Sequence, residues 1–227
     1  MEKLGIKIEH IFHSCFTLET EKHFLVFDYY TGDIELSKTK NNYVFVTHGH
    51  GDHYTPEIFN WEADNIKYIL SSDIEVNRDD KTLYIMNPDE ILQVDDLKIQ
   101  TFGSTDLGLS FLINVDGKDI FHAGDLNWWH WKNDSPAEQK EEEIAYKNEI
   151  AKIKGKNIHI AFVPVDPRLE ENFHLAGEYF INEIHPEYFL PMHFGDKYNT
   201  SADFIHKMKD SETTIVEITH KNQVIEL

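Results

Sequence analysis

Four side chains of the kinds that bind metals are crowded into one short loop of this sequence. In the stretch FVTHGHGDHYTPE, residues 45–57, they are His48, His50, Asp52 and His53. The run YVFV before them predicts a buried strand, so the cluster begins where that strand ends, and the intervening glycines relax the backbone. Imidazole and carboxylate together suit zinc, iron or manganese. We therefore expect a strand-end metal site, with His48 and His50 facing one ion and Asp52 and His53 turned towards a second.

Short β-runs separated by turn signals fill the first half of the chain. The predicted strands are residues 6–12, 15–19, 24–30, 43–47, 67–71, 82–86, 97–102, 109–115 and 119–123. The last two are joined by the turn dipeptide Asp-Gly at 116–117. A short helical segment is expected near PEIFNW, residues 56–61.

Helices and strands alternate in the second half. Ser135 as N-cap, Pro136 at the first helical position and Glu138 predict a capping box that opens a long helix. Its apolar positions include Ile144, Ala151 and Ile153. The segments that follow are a strand at 158–164, a helix at 175–184, a strand at 188–193, a helix at 202–209, and strands at 214–218 and 223–227. No linker or repeat divides the chain, so we predict one α/β domain, residues 1–227, with sheets inside and helices outside.

The charge balance restricts the choice of partner. A formal net charge of −20 makes the surface repel phosphate backbones, so nucleic acid polymers are excluded as expected partners. The sequence has no signal peptide and no apolar run of membrane-spanning length, which predicts a cytoplasmic protein that does not enter membranes. The lone cysteine, Cys15, lies in a strand-like run and is expected to be a buried thiol without chemistry.

The spacing His48-x-His50-x-Asp52-His53 resembles the HxHxDH signature of the metallo-β-lactamase superfamily. Further matches follow in the family's order, with Asp28 in LVFDYY, Asp125 in FHAGDLN and His193 in FLPMHFG. The opening HIFHSCFTLE is similar to the GHSCF opening of the branch that contains the ascorbate-phosphate lactonase-like proteins, with Phe12 in place of the glycine. The resemblance implies a four-layer αββα sandwich with a one- or two-metal site at one edge of its paired sheets.

The same resemblance implies a role for each matching residue. The centre would hold one or two divalent ions, with zinc as the first expectation and manganese or iron as the alternatives. Its ligands would be His48 and His50 for the first ion, Asp52, His53 and His193 for the second, and Asp125 between both. Asp28 would accept hydrogen bonds from the ligand-bearing loop and fix its shape.

One ligand of the family pattern is missing from this chain. Members usually supply a third histidine to the first metal, yet no histidine lies between His53 and His122. The equivalent loop is TFGSTDLGLSFL, residues 101–112, where Ser104, Thr105 or Asp106 must stand instead. Asp106 has three possible roles: an oxygen ligand, a hydrogen-bond partner of a metal-bound water, or a cap for the turn before Gly108.

Several residues outside the signature are candidates for substrate contact or for structural roles. His13 would emerge near the metal cleft and contact substrate or a metal-bound oxygen, or else be a buried, hydrogen-bonded histidine. Candidates for the pocket wall, with core filling as the alternative, come from the NWWHW run at 127–131: Trp128, Trp129, His130 and Trp131, of which at least one is expected to line the pocket. Arg168 and His174 lie on a predicted loop before a helix, where they would hold an anionic substrate or form surface contacts. His122 either reaches the site or packs beneath it.

The most probable function from sequence is metal-dependent hydrolysis. A metal-bound hydroxide would cleave a small ester, lactone or phosphodiester, and the small substrate would be neutral or anionic. Asp52 is expected to orient the nucleophilic water as well as to bind metal, so it is the catalytic candidate. Two alternatives stay open: a di-iron redox protein of the same fold and a non-catalytic, metal-stabilised binding protein.

Overall fold

The computed structural model describes residues 4–78 and 80–227 as two packed β-sheets with helices on their outer faces. The strands are β1 Lys7–Phe12, β2 Cys15–Glu19, β3 His23–Phe27, β4 Asn41–Val46, β5 Ile66–Ser71, β6 Leu83–Met86, β7 Ile91–Val94, β8 Leu97–Phe102, β9 Ser110–Val115, β10 Lys118–His122, β11 Ile160–Pro164, β12 Tyr188–Met192, β13 Thr214–Ile215 and β14 Gln223–Glu226. The helices are α1 Pro136–Ile153, α2 Leu175–Ile184 and α3 Asn199–Lys207, with 3₁₀ helices at Pro56–Asn60 and Pro167–Asn172.

Each sheet contains seven strands and is part antiparallel, part parallel. The first sheet has the order β14-β1-β2-β3-β4-β5-β6, and its pairs from β3 to β6 are parallel. The second has the order β13-β12-β11-β10-β9-β8-β7, and its pairs from β10 to β13 are parallel. Parallel strands joined by crossovers place their carboxyl ends at one edge, where loops can collect side chains from distant parts of the chain.

Aromatic side chains fill the space between the sheets. Phe16 of β2 packs on Phe162 of β11 with ring centroids 4.6 Å apart, and Phe45 of β4 meets Phe111 of β9 at 5.3 Å. Such contacts between rings add to the free energy of burying their apolar area. The packed sheets therefore form a rigid base for the loops at their edge.

The outer faces of the two sheets are covered differently. On the second sheet, α2 and α3 pack Phe180 on Phe121 and Phe204 on Phe189, with ring centroids 5.2 and 5.3 Å apart. On the first sheet, the cover includes the 3₁₀ helix Pro56–Asn60, whose Ile58 is buried against strand side chains. The αββα sandwich is therefore confirmed, with an outer helix on the first sheet that is short and of the 3₁₀ type.

Most elements expected from the sequence are present, and the exceptions have physical causes. The capping box is confirmed, with the Ser135 amide donating to the Glu138 carboxylate at 2.8 Å. Within α1, however, Ile144 and Ala151 are exposed, and the helix buries Tyr146, Ile150 and Ile153. The strand Ile91–Val94 was not predicted, because an edge strand with mostly exposed side chains lacks the apolar alternation that marks a strand.

None of the described helices is long and apolar enough to cross a membrane. Cys15 is buried, as expected.

Candidate metal centre

The predicted ligands, and Asp28 that was predicted to hold their loop, come from strand ends of both sheets. Asp28 directly follows β3, His48 lies two residues after β4, and His193 directly follows β12. Asp125 lies in the loop after β10. Since these strands all take part in parallel pairs, their carboxyl ends meet at the same edge of the sandwich. Residues far apart in sequence are thus brought together by topology.

Asp28 is buried and fixes two imidazoles of the HxHxDH loop. Its carboxylate accepts hydrogen bonds from the Thr47 amide, the Thr47 hydroxyl and His53 Nδ1, each at 2.8 Å. Because the Thr47 hydroxyl donates to Asp28, its oxygen is free to accept from His48 Nδ1, 3.0 Å away. In the neutral form of both histidines the hydrogen is therefore on Nδ1, which leaves the Nε2 lone pair for a metal.

The free Nε2 atoms converge on Asp125. His53 Nε2 lies 3.1 Å from Asp125 Oδ1, His193 Nε2 lies 3.0 Å from the same oxygen, and His48 Nε2 lies 3.6 Å from Oδ2. All three nitrogens and Asp125 Oδ1 are buried without an aligned hydrogen-bond partner. Buried polar atoms normally have hydrogen-bond partners. Nitrogens that converge on one carboxylate without such partners fit a metal-binding site better than a hydrogen-bond network.

His193 is oriented by Asp166, a residue that the sequence reasoning did not select. His193 Nδ1 donates to Asp166 Oδ2 at 3.0 Å, and Arg168 Nε contacts the same carboxylate at 2.8 Å. Burial favours the neutral acid, but the hydrogen bonds from His193 and Arg168 outweigh it and lower the pKa of Asp166 to about 2. A usable signal existed, because Asp166 follows a buried strand as Asp28 does.

Without a metal, protons balance the charge at this cluster. Burial lowers the pKa of His53, yet its contacts with Asp125 and Asp28 prevail and raise that pKa to about 10. Burial likewise opposes ionisation of Asp125, but His193 and His53 hold its pKa well below the usual range. A divalent cation would supply the same positive charge, so the electrostatics of the cluster suit a metal.

A second group of ligand atoms lies on the exposed side of Asp125. His50, Asp106 and Asp125 each offer one atom, and these atoms lie within 4.8 Å of one another. His50 Nδ1 is 4.0 Å from Asp106 Oδ2. Thr105 Oγ1 donates to the carbonyl oxygen of Asn127 and accepts from its amide. Ser104 Oγ accepts a hydrogen bond from the Asp106 amide at 3.2 Å. Of the three residues expected in place of the third histidine, Asp106 is therefore the one whose side chain is placed to bind a metal.

Asp52 and His13 form a third contact within the site. Asp52 Oδ2 lies 3.6 Å from His13 Nε2, and the pKa of Asp52 is lowered, chiefly by its hydrogen bond with His13. His13 Nδ1 accepts from the Gly195 amide at 3.1 Å, so the neutral ring carries its hydrogen on Nε2. His13 is therefore arranged as a hydrogen-bond donor to this side of the site, the reverse of the arrangement at His48, His53 and His193.

Glycines allow the ligand loops to approach each other closely. A Cβ on Gly108, which has φ of +77°, would lie 2.1 Å from the Thr47 carbonyl oxygen and 2.5 Å from His48 Cβ. A Cβ on Gly124 would lie 2.7 Å from Thr47 Oγ1. Neither position has room for a larger residue, so the loops that carry Asp106 and Asp125 are held against the end of β4.

The ligand atoms open into a cleft of about 420 Å³. Its wall includes Trp129, Trp131, Arg168 and Glu142. The two indole rings are stacked 5.7 Å apart, and the Arg168 guanidinium lies 5.7 to 5.8 Å from both rings. Burial, with nearby acidic groups, raises the pKa of Glu142.

Of the candidates in NWWHW, Trp129 and Trp131 line the cleft, whereas Trp128 does not. Its ring stacks on Tyr146 of α1 and meets Tyr179 of α2, with Lys147 over its face at 4.6 Å. Alternate side chains of the loop point in opposite directions, so the helices take Trp128 and the cleft takes Trp129 and Trp131.

Two of the remaining histidines lie outside the cleft. His174 contacts Glu178 at 3.2 Å and packs on Phe173, so it is not part of the cleft wall. His122 is buried beneath the site, with Nε2 3.0 Å from the Ser14 carbonyl oxygen and its ring stacked on Phe27. His174 is thus placed for a structural contact on its helix, and of the two roles considered for His122 the structure shows packing beneath the site.

Solved structures with the same fold extend over nearly the whole chain. A metallo hydrolase from the archaeon Ignicoccus hospitalis is 19% identical, with 98% of each chain covered and a TM-score of 0.68. The metallo-beta-lactamase fold protein YhfI from Bacillus subtilis is 14% identical, covering 97% of this chain and 99% of that one, with a TM-score of 0.62. CmlA, a diiron beta-hydroxylase from Streptomyces venezuelae, is 10% identical; the match covers all of this chain but 55% of CmlA, with a TM-score of 0.66.

Sequence comparison gives the family directly. No curated protein matches the chain. A family profile described as the beta-lactamase superfamily domain matches residues 7–193, a span that contains all the predicted metal ligands. The chain therefore belongs to the beta-lactamase superfamily and has its metallo-β-lactamase fold.

Proposed function

We propose that this protein is a metal-dependent hydrolase that cleaves a small ester, lactone or phosphodiester. One observation carries the proposal: three buried imidazoles present unpartnered Nε2 atoms to the carboxylate of Asp125 at the floor of an open cleft. A purely structural cluster would have no need of the adjoining cleft, which has the volume of a small-molecule site.

The chain's own residues supply binding and orientation. His48, His53, His193 and Asp125 would hold one ion or share two, with His50 and Asp106 on the exposed side. A bound divalent ion supplies a water activated at neutral pH and a Lewis acid for the scissile group. The carboxylate of Asp52, about half exposed and facing His13, would accept a hydrogen bond from the attacking water and orient it.

The cleft wall supports a small, anionic or planar substrate. Arg168 is the cation of the wall, and its exposed fraction of 52% leaves donors available while Asp166 fixes its position. Trp131 and Trp129 offer apolar faces beside it. Glu142 lies on the cleft wall, and burial raises its pKa, which suits a carboxyl group that would protonate the leaving group.

The test combines metal content with turnover. The protein is purified without added metal, its bound metals are measured per chain, and the reconstituted protein is screened against ester, lactone and phosphodiester panels. We expect Asp52→Asn to lose at least about 100-fold in turnover while the protein keeps at least one metal per chain, because the ligands proposed for the first ion are unchanged. Asp64→Asn, an exposed carboxylate remote from the cleft, is the matched control and should keep full activity.

Two outcomes would reject the proposal. One is less than about one-tenth of a metal per chain with no uptake on reconstitution, since the site would then not be a metal centre. The other is hydrolysis unchanged by Asp52→Asn. Metal uptake with no turnover on any panel would favour the non-catalytic binding protein.

A redox function is a second candidate because the exposed group His50, Asp106 and Asp125 is rich in oxygen ligands. Such sets accept iron and manganese readily. The structural likeness to the diiron hydroxylase shows the fold alone at 10% identity. Visible absorbance that changes on reduction, in protein loaded with two irons per chain, would support this function over hydrolysis.

A further inference from the structure

A second group of potential metal ligands lies at the opposite end of the sandwich. His23 is the first residue of β3 in the first sheet. Asp96 lies in the turn between β7 and β8, and Asp116 in the turn between β9 and β10, both in the second sheet. Since Asp28 follows the last residue of β3, this group is about 17 Å from the metal centre along the strand.

The distances between the three side chains match those between ligands of one ion. His23 Nε2 lies 3.2 Å from Asp96 Oδ2 and 3.6 Å from Asp116 Oδ1, and all three atoms lie within 4.8 Å of one another. A tetrahedral zinc ion with bonds of about 2.0–2.2 Å separates its ligand atoms by roughly 3.3–3.6 Å. The geometry therefore needs little adjustment to accept an ion.

The charges of the group also favour a cation. His23 is 1% exposed, and its Nε2 has a single position for a hydrogen, which can be directed at one carboxylate only. Among the described residues, no lysine or arginine approaches Asp96 or Asp116 within salt-bridge distance. The neighbouring Asp95 adds negative charge and is already bound by Tyr43 and Lys67.

The burial of His23 distinguishes this group from an ordinary cluster of surface acids. The imidazole is enclosed, Nδ1 has no hydrogen-bond partner, and Nε2 lies within hydrogen-bond distance of Asp96 with Asp116 as its second acidic neighbour. Asp96 is 56% exposed and Asp116 27% exposed, so an ion could enter from solvent and keep a water as its fourth ligand.

We propose that His23, Asp96 and Asp116 form a separate zinc site that joins the two sheets. One ligand comes from the first sheet and two come from hairpin turns of the second, so the ion links them at the end remote from the cleft. This site is independent of the hydrolytic function and adds stability by binding the folded state alone.

Zinc binding to paired variants tests the proposal. The double variant D96N/D116N keeps the side-chain shapes, whereas Asp95→Asn removes one charge from the same turn but leaves all three proposed ligands in place and is the matched control. By calorimetry and metal analysis, we expect the wild type and the control to bind one zinc ion per chain more than the double variant. Zinc should also raise the unfolding temperature of the wild type by several degrees more than it raises that of the double variant.

A crystal soaked in zinc provides a readout that does not depend on variant folding. An anomalous difference peak between His23, Asp96 and Asp116 at the zinc edge would support the site. Equal stoichiometry in all variants, or zinc-loaded crystals with no peak there, would overturn it. Dependence of the unfolding temperature on pH but not on zinc would show that a proton on His23 serves instead, and would also overturn the proposal.

Discussion

Replacing Asp28 by asparagine should weaken metal binding without removing a single ligand. The carboxylate accepts from the Thr47 amide through Oδ1, and from the Thr47 hydroxyl and His53 Nδ1 through Oδ2. An amide has one accepting oxygen. Whichever way it is placed, its NH₂ group faces either the Thr47 N–H or His53 Nδ1. If it faces Nδ1, the neutral imidazole moves its hydrogen to Nε2, the atom that would bind metal.

The size of the effect follows from the bonds that change. Rotation of the Thr47 hydroxyl preserves one contact, so the net loss is one charge-assisted hydrogen bond, worth about 1.5–3 kcal/mol. Loss of a carboxylate partner behind a metal-binding histidine typically costs 10- to 100-fold in affinity, or about 1.4–2.7 kcal/mol. The two figures agree, so we expect the dissociation constant to rise 10- to 100-fold.

Competition with a chromophoric chelator measures this change for wild type and Asp28→Asn, and long-range ¹H–¹⁵N spectra report which nitrogen of His53 carries the hydrogen. Asp73→Asn is the matched control, since Asp73 accepts from the Gly49 amide of the same loop at 2.8 Å but touches no imidazole. We expect it to change affinity by less than about threefold. Affinity of Asp28→Asn within threefold of wild type, with both proteins folded, would refute the role assigned to the tautomer.

Three further predictions concern the fold and the centre. Gly108→Ala should lower the free energy of unfolding by at least about 2 kcal/mol in a urea titration, because its Cβ would meet the Thr47 carbonyl oxygen at 2.1 Å. The control Gly51→Ala, whose Cβ would have no atom within 4 Å, should change that free energy by less than about 0.5 kcal/mol. Equal effects of the two substitutions would contradict the close approach. Burial lowers the pKa of His10 to about 4 from 6.5, so between these pH values the unfolded state binds a proton that the folded state does not. The free energy of unfolding should therefore fall by about 3 kcal/mol as pH drops from 6.5 to 4. His10→Phe should remove this part of the pH dependence, and an unchanged dependence in urea titrations would contradict the role of His10. Chelation of bound metal should lower the unfolding temperature, and zinc should restore it; calorimetry showing no difference between the two forms would oppose a metal centre at the sheet edge.

Local sequence was sufficient for most of the elements and for the loop that carries the site. The HxHxDH loop, the capping box at Ser135 and the helix Leu175–Ile184 are each encoded by neighbouring residues, and their ranges agree with the structure. The predicted ligands outside the loop, Asp125 and His193, were found through family order, and the structure brings them to the same strand edge. Their roles as ligands stay predictions that metal analysis will test.

The directions in which side chains point were harder to obtain from sequence. In NWWHW every tryptophan is equally apolar, and only packing against α1 and α2 separates Trp128 from Trp129 and Trp131. Asp166 was missed because its role is to hold His193, a residue 27 positions away. For His174 the sequence left substrate contact and a surface contact at the helix start both open, and the helix turns it towards Glu178.

The order of strands along the chain has a consequence for biosynthesis. Strands β1 to β6 complete most of the first sheet by residue 86, so Asp28 and the HxHxDH loop emerge from the ribosome early. His193 follows His53 by 140 residues, which takes about 7–28 s at typical elongation rates. Until then, the early imidazoles have only part of their partners, and β14 has not yet closed against β1. If the centre binds metal as proposed, it can therefore do so only near the end of synthesis, so a shortage of metal would affect the finished chain and not the folding of β1 to β6.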